Sequence, residues 1–454
     1  MEYHIAIDGN NQARGTSDQP FRTISQAAKL AVAGDTIIVH KGIYREWVNP
    51  ANAGTAEHRI IYKAAGDGEV VITGAERITD WTMEDDTVWS TEVANALFSD
   101  RNPYEVKLSG DWLFDGILTV HLGDVYLDGR SLYECDSIEK VRKPEVWPEA
   151  KFPEESLLKW YAEVGPTTTK MWANFGNKDP RQENVEMNVR PHCFWPTKAG
   201  IDYITVSGFT LRQASPQWAP PTEYQEGLIG PHWSKGWIIE NNVIAESKSV
   251  GISLGTEIGT GHKKQAGKHK KGGTQREQEV ILRALHAGWH NDNVGSHIIR
   301  GNIIYDCEQA GIVGHMGGAF SQIQNNRIYN IHHKRLRHGA EVGGIKLHAA
   351  LDTQMSDNLI YSCYRGIWLD WQAQGTRITR NVFFDNLSED LFVEVCHGPY
   401  LVDNNLFLSA MNFRNLAQGG ALVHNLFAGH FVVQSELSRT TPYHFPHETA
   451  MAGY

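Results

Sequence analysis

Two acidic residues occupy the same position in two neighbouring copies of a short repeat. The segment Gly366-Ile367-Trp368-Leu369-Asp370 recurs in altered form along the second half of the chain. Its copies are 251–255, 311–315, 344–348, 366–370, 390–394 and 410–414. The second and fourth positions are mostly apolar and share one face of a strand. The fifth positions are Gly255, His315, His348, Asp370, Glu394 and Arg414. Paired carboxylates on consecutive copies indicate an enzyme that cleaves carbohydrates.

A second marker gives the period of the repeat. An asparagine followed within two residues by an aliphatic residue or Phe recurs, mostly every 20 to 32 residues with one interval of 60. These positions are Asn242, Asn302, Asn326, Asn358, Asn381, Asn405 and Asn425. Such a period is typical of solenoids and propellers, and each unit lacks both a helix and the four strands of a propeller blade. The pattern therefore predicts an all-β fold, a right-handed parallel β-helix, with the asparagines laddered at one inward turn.

The repeat also predicts a distance. Neighbouring parallel strands lie roughly 4.8 Å apart, so Asp370 and Glu394 are expected about 5 Å apart on one face. Retaining glycosidases hold their two carboxyl groups roughly 5–5.5 Å apart, whereas inverting enzymes hold them about 6.5–9.5 Å apart. The spacing thus predicts retention, with Asp370 as nucleophile and Glu394 as acid and then base.

The neighbours of the two acids support this interpretation. Asp is disfavoured in strands, and Trp368 and Trp371 would partly desolvate Asp370 at a cost in free energy. Both tryptophans could also cover the apolar faces of a sugar. Glu394 lies in an apolar strand, where repulsion from a second carboxylate would raise its pKa and keep it protonated. The alternative is that either acid is an ordinary surface charge.

Other residues could bind sugar hydroxyls around this pair. His315 and His348 precede the acids in the same column, and His397 could line the rim. Lys346 and Arg414 could bind hydroxyls or hold a carboxylate ionised, and Arg414 is expected next to Glu394. We expect no metal and no cofactor, because a calcium-dependent lyase would need several acids around one ion.

The bulk composition excludes several classes of protein. The formal charge of −11 argues against a nucleic-acid binder, and five scattered cysteines suggest neither a disulfide framework nor a zinc site. No signal peptide or membrane span is recognisable, so a cytoplasmic location is expected.

The chain divides into three parts. Residues 1–75 are predicted to form a cap and the first coils, with a helix over Phe21–Ala33 capped by Thr23. An inserted β-sandwich-like domain is expected over residues 76–195, and coils carrying the active site over 196–454. The basic segment 262–273 is either a solvated loop or a flap over the pocket.

Two motifs resemble those of the β-xylosidases of glycoside hydrolase family 120. They are Gly366–Gln372 and Glu394 within Phe392–His397, and the upstream segment Glu341–His348 adds to the likeness. The resemblance implies that Asp370 is the nucleophile, Glu394 the acid/base and Glu341 a ligand for xylose hydroxyls. It further implies exo-acting release of xylose from xylooligosaccharides with retention, and a homo-oligomer. Family members are longer, so the loop at 440–447 is expected to end a partial sequence or to be covered by another chain.

Two other functions remain open at this point. One is a different β-helix enzyme acting on polysaccharides, either a lyase or an inverting hydrolase. The other is a non-catalytic glycan-binding solenoid.

Overall fold

Three long parallel sheets form the body of the molecule. The computed structural model describes residues 1–85, 87–98, 101–114, 116, 118–256, 273–436 and 438–439. From Ile238 onward, each coil contributes one short strand to each sheet, and neighbouring strands within a sheet come from successive coils. This is the parallel β-helix that the repeats predict.

The strands of the three sheets follow the coils in order. The first sheet contains Glu2–Ile5, Thr36–Val39, Ile60–Ala64, Ile204–Ser207, Ile238–Glu240, Ile298–Arg300, Gln322–Gln324, Gln354–Ser356, Thr376–Thr379, Tyr400–Asp403 and Gly420–Val423. The second contains Gly42–Tyr44, Val70–Thr73, Thr210–Arg212, Val243–Ser247, Ile303–Cys307, Arg327–Tyr329, Leu359–Tyr361, Val382–Phe384, Leu406–Phe407 and Leu426–Phe427. The third contains Val250–Ser253, Ala310–His315, Gly343–His348, Ile367–Asp370, Glu389–Glu394, Met411–Leu416 and His430–Val433.

Inward-pointing side chains stack in register along the axis. In the third sheet, Ile312, Ile345, Ile367 and Leu391 are successive register partners and are fully buried. Because strand residues alternate between faces, the residues between them point outward. The outward positions of this sheet are therefore free to form a site.

The predicted asparagine ladder is confirmed. From Asn242 to Asn425, each side-chain amide donates to the Oδ1 of the next asparagine over 2.9–3.2 Å. The residue before each ladder asparagine has a positive φ, between 54° and 66°. The ladder thus fixes the tight turn between the first and second sheets in seven successive coils.

Helices cover parts of the coils. Helix α1 (Ile24–Leu30) begins after Thr23, whose hydroxyl accepts a hydrogen bond from the Gln26 amide as predicted. Helix α2 is Ile138–Arg142 and helix α3 is Gly273–His286. Helix α3 was not predicted, and residues 262–272 of the basic segment lie outside the described residues. None of the helices described is long and apolar enough to cross a membrane.

Two mostly antiparallel sheets interrupt the coils between residues 75 and 188, with one parallel pair between Tyr133–Glu134 and Lys159–Val164. One sheet contains Ala75–Arg77, Val125–Leu127, Arg130–Ser131 and Val185–Asn188. The other contains Thr82–Met83, Val88–Ala94, Tyr133–Glu134, Lys159–Val164 and Thr168–Asn174. The insert has its own core around Trp81, Trp89 and Trp160, and short 3₁₀ helices at Asn95–Leu97 and Pro153–Leu157.

Candidate active site

The two predicted catalytic acids are direct register partners. His348 pairs with Asp370, and Asp370 pairs with Glu394, on consecutive strands of the third sheet. Adjacent strands lie roughly 4.8 Å apart, so both carboxyl groups project from one face at about that spacing. His315 is the register partner of His348 and extends the column, as the repeat predicts.

A large cavity lies over this face of the sheet. Its volume is about 740 Å³, and it contains Asp370 and Glu394 in its lining. Trp112 and Phe114 from the insert form one wall, and residues 434–436 and Arg439 form another. The remaining lining residues are Pro221, Glu277, Gly339, Ala340, Glu341, His348, Tyr364, Arg365, Trp368, Trp371, Phe392, Arg414 and Leu416.

Lys346 is the cation that contacts the predicted nucleophile. Its Nζ donates to Oδ2 of Asp370 over 2.8 Å and lies 3.6 Å from Oε2 of Glu341. Lys346 is fully buried and does not line the cavity. A buried ammonium beside two carboxylates favours their ionised forms, so Lys346 is placed to keep Asp370 nucleophilic.

Burial dominates the protonation of this cluster. Burial raises the pKa of Asp370 well above its ordinary value; Lys346 opposes this rise, and the charge of Glu394 adds to it. Burial likewise raises the pKa of Glu341, again opposed by Lys346. The charge of Glu341 adds to the rise in the pKa of Asp370 as well.

His348 bridges the carboxylates as a neutral ring. Burial and the nearby Lys346 charge hold its pKa well below the ordinary value. Its Nε2 lies 3.4 Å from Oε2 of Glu341 and 3.5 Å from Oδ2 of Asp370. His348 therefore sits where it can orient both acids and meet a sugar hydroxyl.

Glu341, His348 and Asp370 also offer three ligand atoms within 4.8 Å of one another. Among the described residues this is the one cluster able to hold a metal ion. Lys346 Nζ already lies within ion-pair distance of both carboxylates in the cluster. Its charge would repel a divalent ion at the same place, so the donor set fits an ammonium better than a metal.

The prediction that Arg414 lies beside Glu394 is wrong. The register partner of Glu394 is Leu416, and Arg414 pairs instead with Phe392. Its guanidinium lies 3.5 Å from Glu389 and 5.0 Å from the centre of the Phe392 ring. Arg414 still lines the cavity, because a shift of two residues keeps a side chain on the same face.

Arg439 takes the place that Arg414 was expected to hold. Its Nη1 lies 2.7 Å from Oε1 of Glu394. The charge of Glu394 raises the pKa of Arg439 against the lowering effect of burial. Arg439 thus supplies the cation that contacts Glu394.

Aromatic rings and cations stack beside the acids. Trp368 and Phe392 stack with centroids 5.3 Å apart, and the Lys346 Nζ lies 3.5 Å from the Trp368 centroid. Trp371 lines the cavity with a positive φ of 49°, and its amide donates to the carbonyl of Glu394. Both predicted tryptophans therefore contact the site, whereas Trp218 and Trp233 pack in separate clusters.

Besides Lys346, two further predicted ligands lie outside the cavity lining. His315 is fully buried, with Nδ1 2.6 Å from the Pro221 carbonyl and Nε2 2.8 Å from Glu277. His397 contacts Gln374 over 3.3 Å, and burial lowers its pKa. His315 therefore contacts the site through Glu277 and through the His348 ring, whose centroid lies 5.4 Å from its own. His397 is absent from the cavity lining.

Several cavity residues were missed by sequence reasoning. Glu277 lies on α3, where Val280, Ile281 and Ala284 are buried at helical spacing and could have revealed the helix. Trp112, Phe114 and Arg439 lie far from the repeats in sequence, so no periodic signal marks them.

Comparison with known proteins defines the class. The family model of the glycoside hydrolase 120 insertion domain matches residues 78–187, and the right-handed β-helix region matches 280–430. A family of unknown function, DUF1565, matches residues 7–49. The structure described as XylC in complex with xylose is 48% identical, with a TM-score of 0.96, over 98% of this chain and 72% of that one.

A more distant solved structure agrees on the fold, and one curated protein matches part of the sequence. A structure described as a glycoside hydrolase is 13% identical, with a TM-score of 0.53, over 95% of this chain and 96% of that one. The uncharacterized protein YwoF of Bacillus subtilis is 26% identical over 107 residues, which are 24% of this chain and 20% of that protein.

The fold and the paired acids therefore define a glycosidase built on a right-handed parallel β-helix. The chain belongs to glycoside hydrolase family 120, as the two acid motifs indicated.

Proposed function

We propose that this family 120 glycosidase is an exo-acting β-xylosidase that releases xylose from xylooligosaccharides with retention. The observation that carries the proposal is the register pairing of Asp370 with Glu394 inside the cavity. One strand spacing, roughly 4.8 Å, falls near the separation of retaining rather than inverting carboxyl pairs.

The geometry supports a double displacement. In the first step a carboxylate oxygen of Asp370 attacks the anomeric carbon while Glu394 gives its proton to the departing glycosidic oxygen. The alcohol leaves, and an ester joins the sugar to Asp370. In the second step Glu394 takes a proton from water, whose oxygen attacks the same carbon, and the ester bond to Asp370 breaks. Lys346 stabilises the Asp370 carboxylate that is released.

The substrate assignment rests on two observations. The 48% identical structure is a complex with xylose, which is a neutral sugar of the size this cavity can hold. Trp112 and Phe114 of the insert line one side of the cavity. A cavity that is closed on one side favours cleavage at the end of the sugar chain. A homo-oligomer is expected from the family resemblance alone.

The stereochemistry of the product tests the mechanism. Proton NMR of an aryl β-xyloside reaction should show β-xylose as the first product, with the α-anomer growing in only by mutarotation. An α-anomer formed first would show inversion and reject Asp370 as nucleophile.

Paired variants test the two roles. Asp370→Ala should abolish turnover, whereas Glu394→Ala should lose roughly 10²–10⁴-fold on poor leaving groups and far less on activated ones. Asp385→Ala, at a carboxylate 69% exposed, is the matched control and should retain full activity. Unchanged turnover in both cavity variants would favour a non-catalytic glycan-binding solenoid.

A further inference from the structure

A further carboxylate lines the cavity from outside the third sheet. Glu277 lies on α3 and is only 2% exposed. Its Oε1 lies 2.8 Å from Nε2 of His315, whereas its Oε2 has no hydrogen-bond partner among the described residues. A buried carboxylate oxygen without a partner is costly unless a ligand completes its shell.

The contacts of His315 place a proton beside Glu277. Nδ1 of His315 lies 2.6 Å from the Pro221 carbonyl, which can only accept, so Nδ1 carries a hydrogen. Nε2 lies 2.8 Å from Oε1 of Glu277. Two lone pairs cannot face each other at that distance, so one further proton lies between the two groups.

The charges around Glu277 decide which group holds that proton. Burial raises the pKa of Glu277, but the charge and hydrogen bond of His315 outweigh it and leave the pKa below its ordinary value. His348 also lowers it, whereas Glu341 raises it. The lowered pKa favours the ionised form of Glu277, and the carboxylate keeps its acceptor capacity.

The position of Glu277 relative to Asp370 indicates which part of a sugar it meets. Oε1 of Glu277 lies 3.8 Å from Nδ1 of His348, and Nε2 of the same ring lies 3.5 Å from Asp370. One imidazole thus separates Glu277 from the carboxylate that attacks the anomeric carbon. A pyranose in the cavity would direct a hydroxyl remote from that carbon, at C3 or C4, toward Glu277.

We propose that Glu277 binds a ring hydroxyl of the sugar remote from the reacting carbon, and that His315 is a positioning residue that keeps Glu277 ionised. This inference rests on the proposed function, because it takes the cavity ligand to be a pentopyranoside. It assigns substrate recognition to a helix that belongs neither to the repeats nor to the insert.

Deoxy substrates test the contact. On aryl β-xyloside, Glu277→Gln should lower kcat/KM by about 10- to 100-fold, as expected for a hydrogen bond to a charged group of roughly 1.5–3 kcal/mol. The kcat/KM of the wild type should fall by a similar factor when the substrate lacks either its 3-hydroxyl or its 4-hydroxyl. On that same deoxy substrate, the kcat/KM of Glu277→Gln should fall little below its value on the full substrate. If removing either hydroxyl lowered kcat/KM by the same factor in the wild type and in Glu277→Gln, the proposed contact would be wrong.

Glu279→Gln is the matched control. It makes the same change on the same helix, at a residue that pairs with Arg283 on the exposed side. This variant should behave as wild type on all three substrates. Thermal unfolding of both variants shows whether a loss of activity reflects unfolding instead.

Labelling separates this inference from the proposed function. A 2-deoxy-2-fluoro β-xyloside should form an adduct on Asp370, detectable by peptide mass spectrometry, in both wild type and Glu277→Gln. No adduct in the wild type would reject the proposed mechanism. If both enzymes form the adduct but respond equally to the deoxy substrates, only the role of Glu277 is rejected.

A pH profile tests His315. Without the contact from His315, burial would raise the pKa of Glu277, so the carboxylate would be lost at higher pH as the solution is acidified. His315→Asn should therefore move the acidic limb of kcat/KM to higher pH, and Glu277→Gln should cancel that difference. If the acidic limb of kcat/KM stays at the same pH in His315→Asn, His315 does not position Glu277.

Discussion

At the level of single residues, the buried lysine opposes the effect of burial on the proposed nucleophile. Asp370 is 6% exposed, and burial raises its pKa well above the ordinary value. Lys346 donates to it over 2.8 Å and is itself stabilised by Glu341 and the face of Trp368. Removing one member of such a buried pair leaves the other charge uncompensated.

Replacing this lysine should change the pH dependence of catalysis. In Lys346→Met the pKa of Asp370 rises further, because a charge that lowers it is gone. Asp370 must be ionised to react, so activity is lost as pH falls through that pKa, and the acidic limb moves to higher pH. We expect kcat/KM to drop about 10- to 100-fold at pH 6, the range for a charge-assisted hydrogen bond, and less at higher pH.

Steady-state kinetics across pH measure this effect. Lys63→Met makes the same change at an exposed position of the first sheet and should leave the profile unchanged. A parallel loss at every pH in Lys346→Met would contradict the electrostatic role.

The sequence predicted the two acids and Lys346, but not the cation beside Glu394. Asp370 and Glu394 follow from the repeat because the register there keeps the apolar positions in line. The last copy of the repeat predicts the wrong neighbour for Glu394. The structure pairs Leu391 with Phe413, two residues later than the repeat alignment implies. A two-residue shift preserves the alternation of faces, so the pattern could not detect it. Arg439 could not be predicted, because it lies outside the repeats.

At the level of elements, the asparagine ladder holds successive coils in register. Asn358 accepts from both the amide and the side chain of Asn326 and donates to Asn381 and the Ile323 carbonyl. These groups are buried, so losing one partner costs their full desolvation. The ladder was predictable because a single residue type at a regular interval has few other structural uses.

Substitution within the ladder should destabilise the fold according to position. Asn358→Ala leaves several buried groups without partners and should lower the free energy of unfolding by about 2–4 kcal/mol. Asn425→Ala, at the half-buried end of the ladder, should cost less because water can replace the lost contacts. Urea unfolding followed by circular dichroism compares the two. Equal losses would mean that the ladder is not what stabilises the turn.

At the level of the whole molecule, buried ion pairs join the insert to the coils. Lys334 of the coils reaches the insert at Asp124 over 3.2 Å and at the Leu132 carbonyl over 2.8 Å. Lys248 lies 3.4 Å from the same Asp124 and 3.7 Å from Glu134. An insert was predictable from the loss of the coil pattern, but its docking was not, since Lys334 and Asp124 are 210 residues apart in sequence.

This interface positions the wall of the cavity. The insert also contacts the coils near the site, where the Phe114 amide donates to the His338 carbonyl and the Ala340 amide donates to the Trp112 carbonyl. Trp112 and Phe114 therefore depend on how the insert docks. Stability and substrate binding should then respond together when the buried ion pairs are broken.

Neutralising Asp124 tests this coupling. Asp124→Asn leaves two buried ammonium groups facing one amide, and it should cost about 3–5 kcal/mol of unfolding free energy. It should also raise KM more than it lowers kcat, because the wall shifts while Asp370 and Glu394 stay on the third sheet. Asp128→Asn is the matched control: its partner Lys178 is 47% exposed, and exposed pairs contribute no more than about 1 kcal/mol. If Asp124→Asn lost stability with KM unchanged, the ion pairs would hold the insert without shaping the cavity.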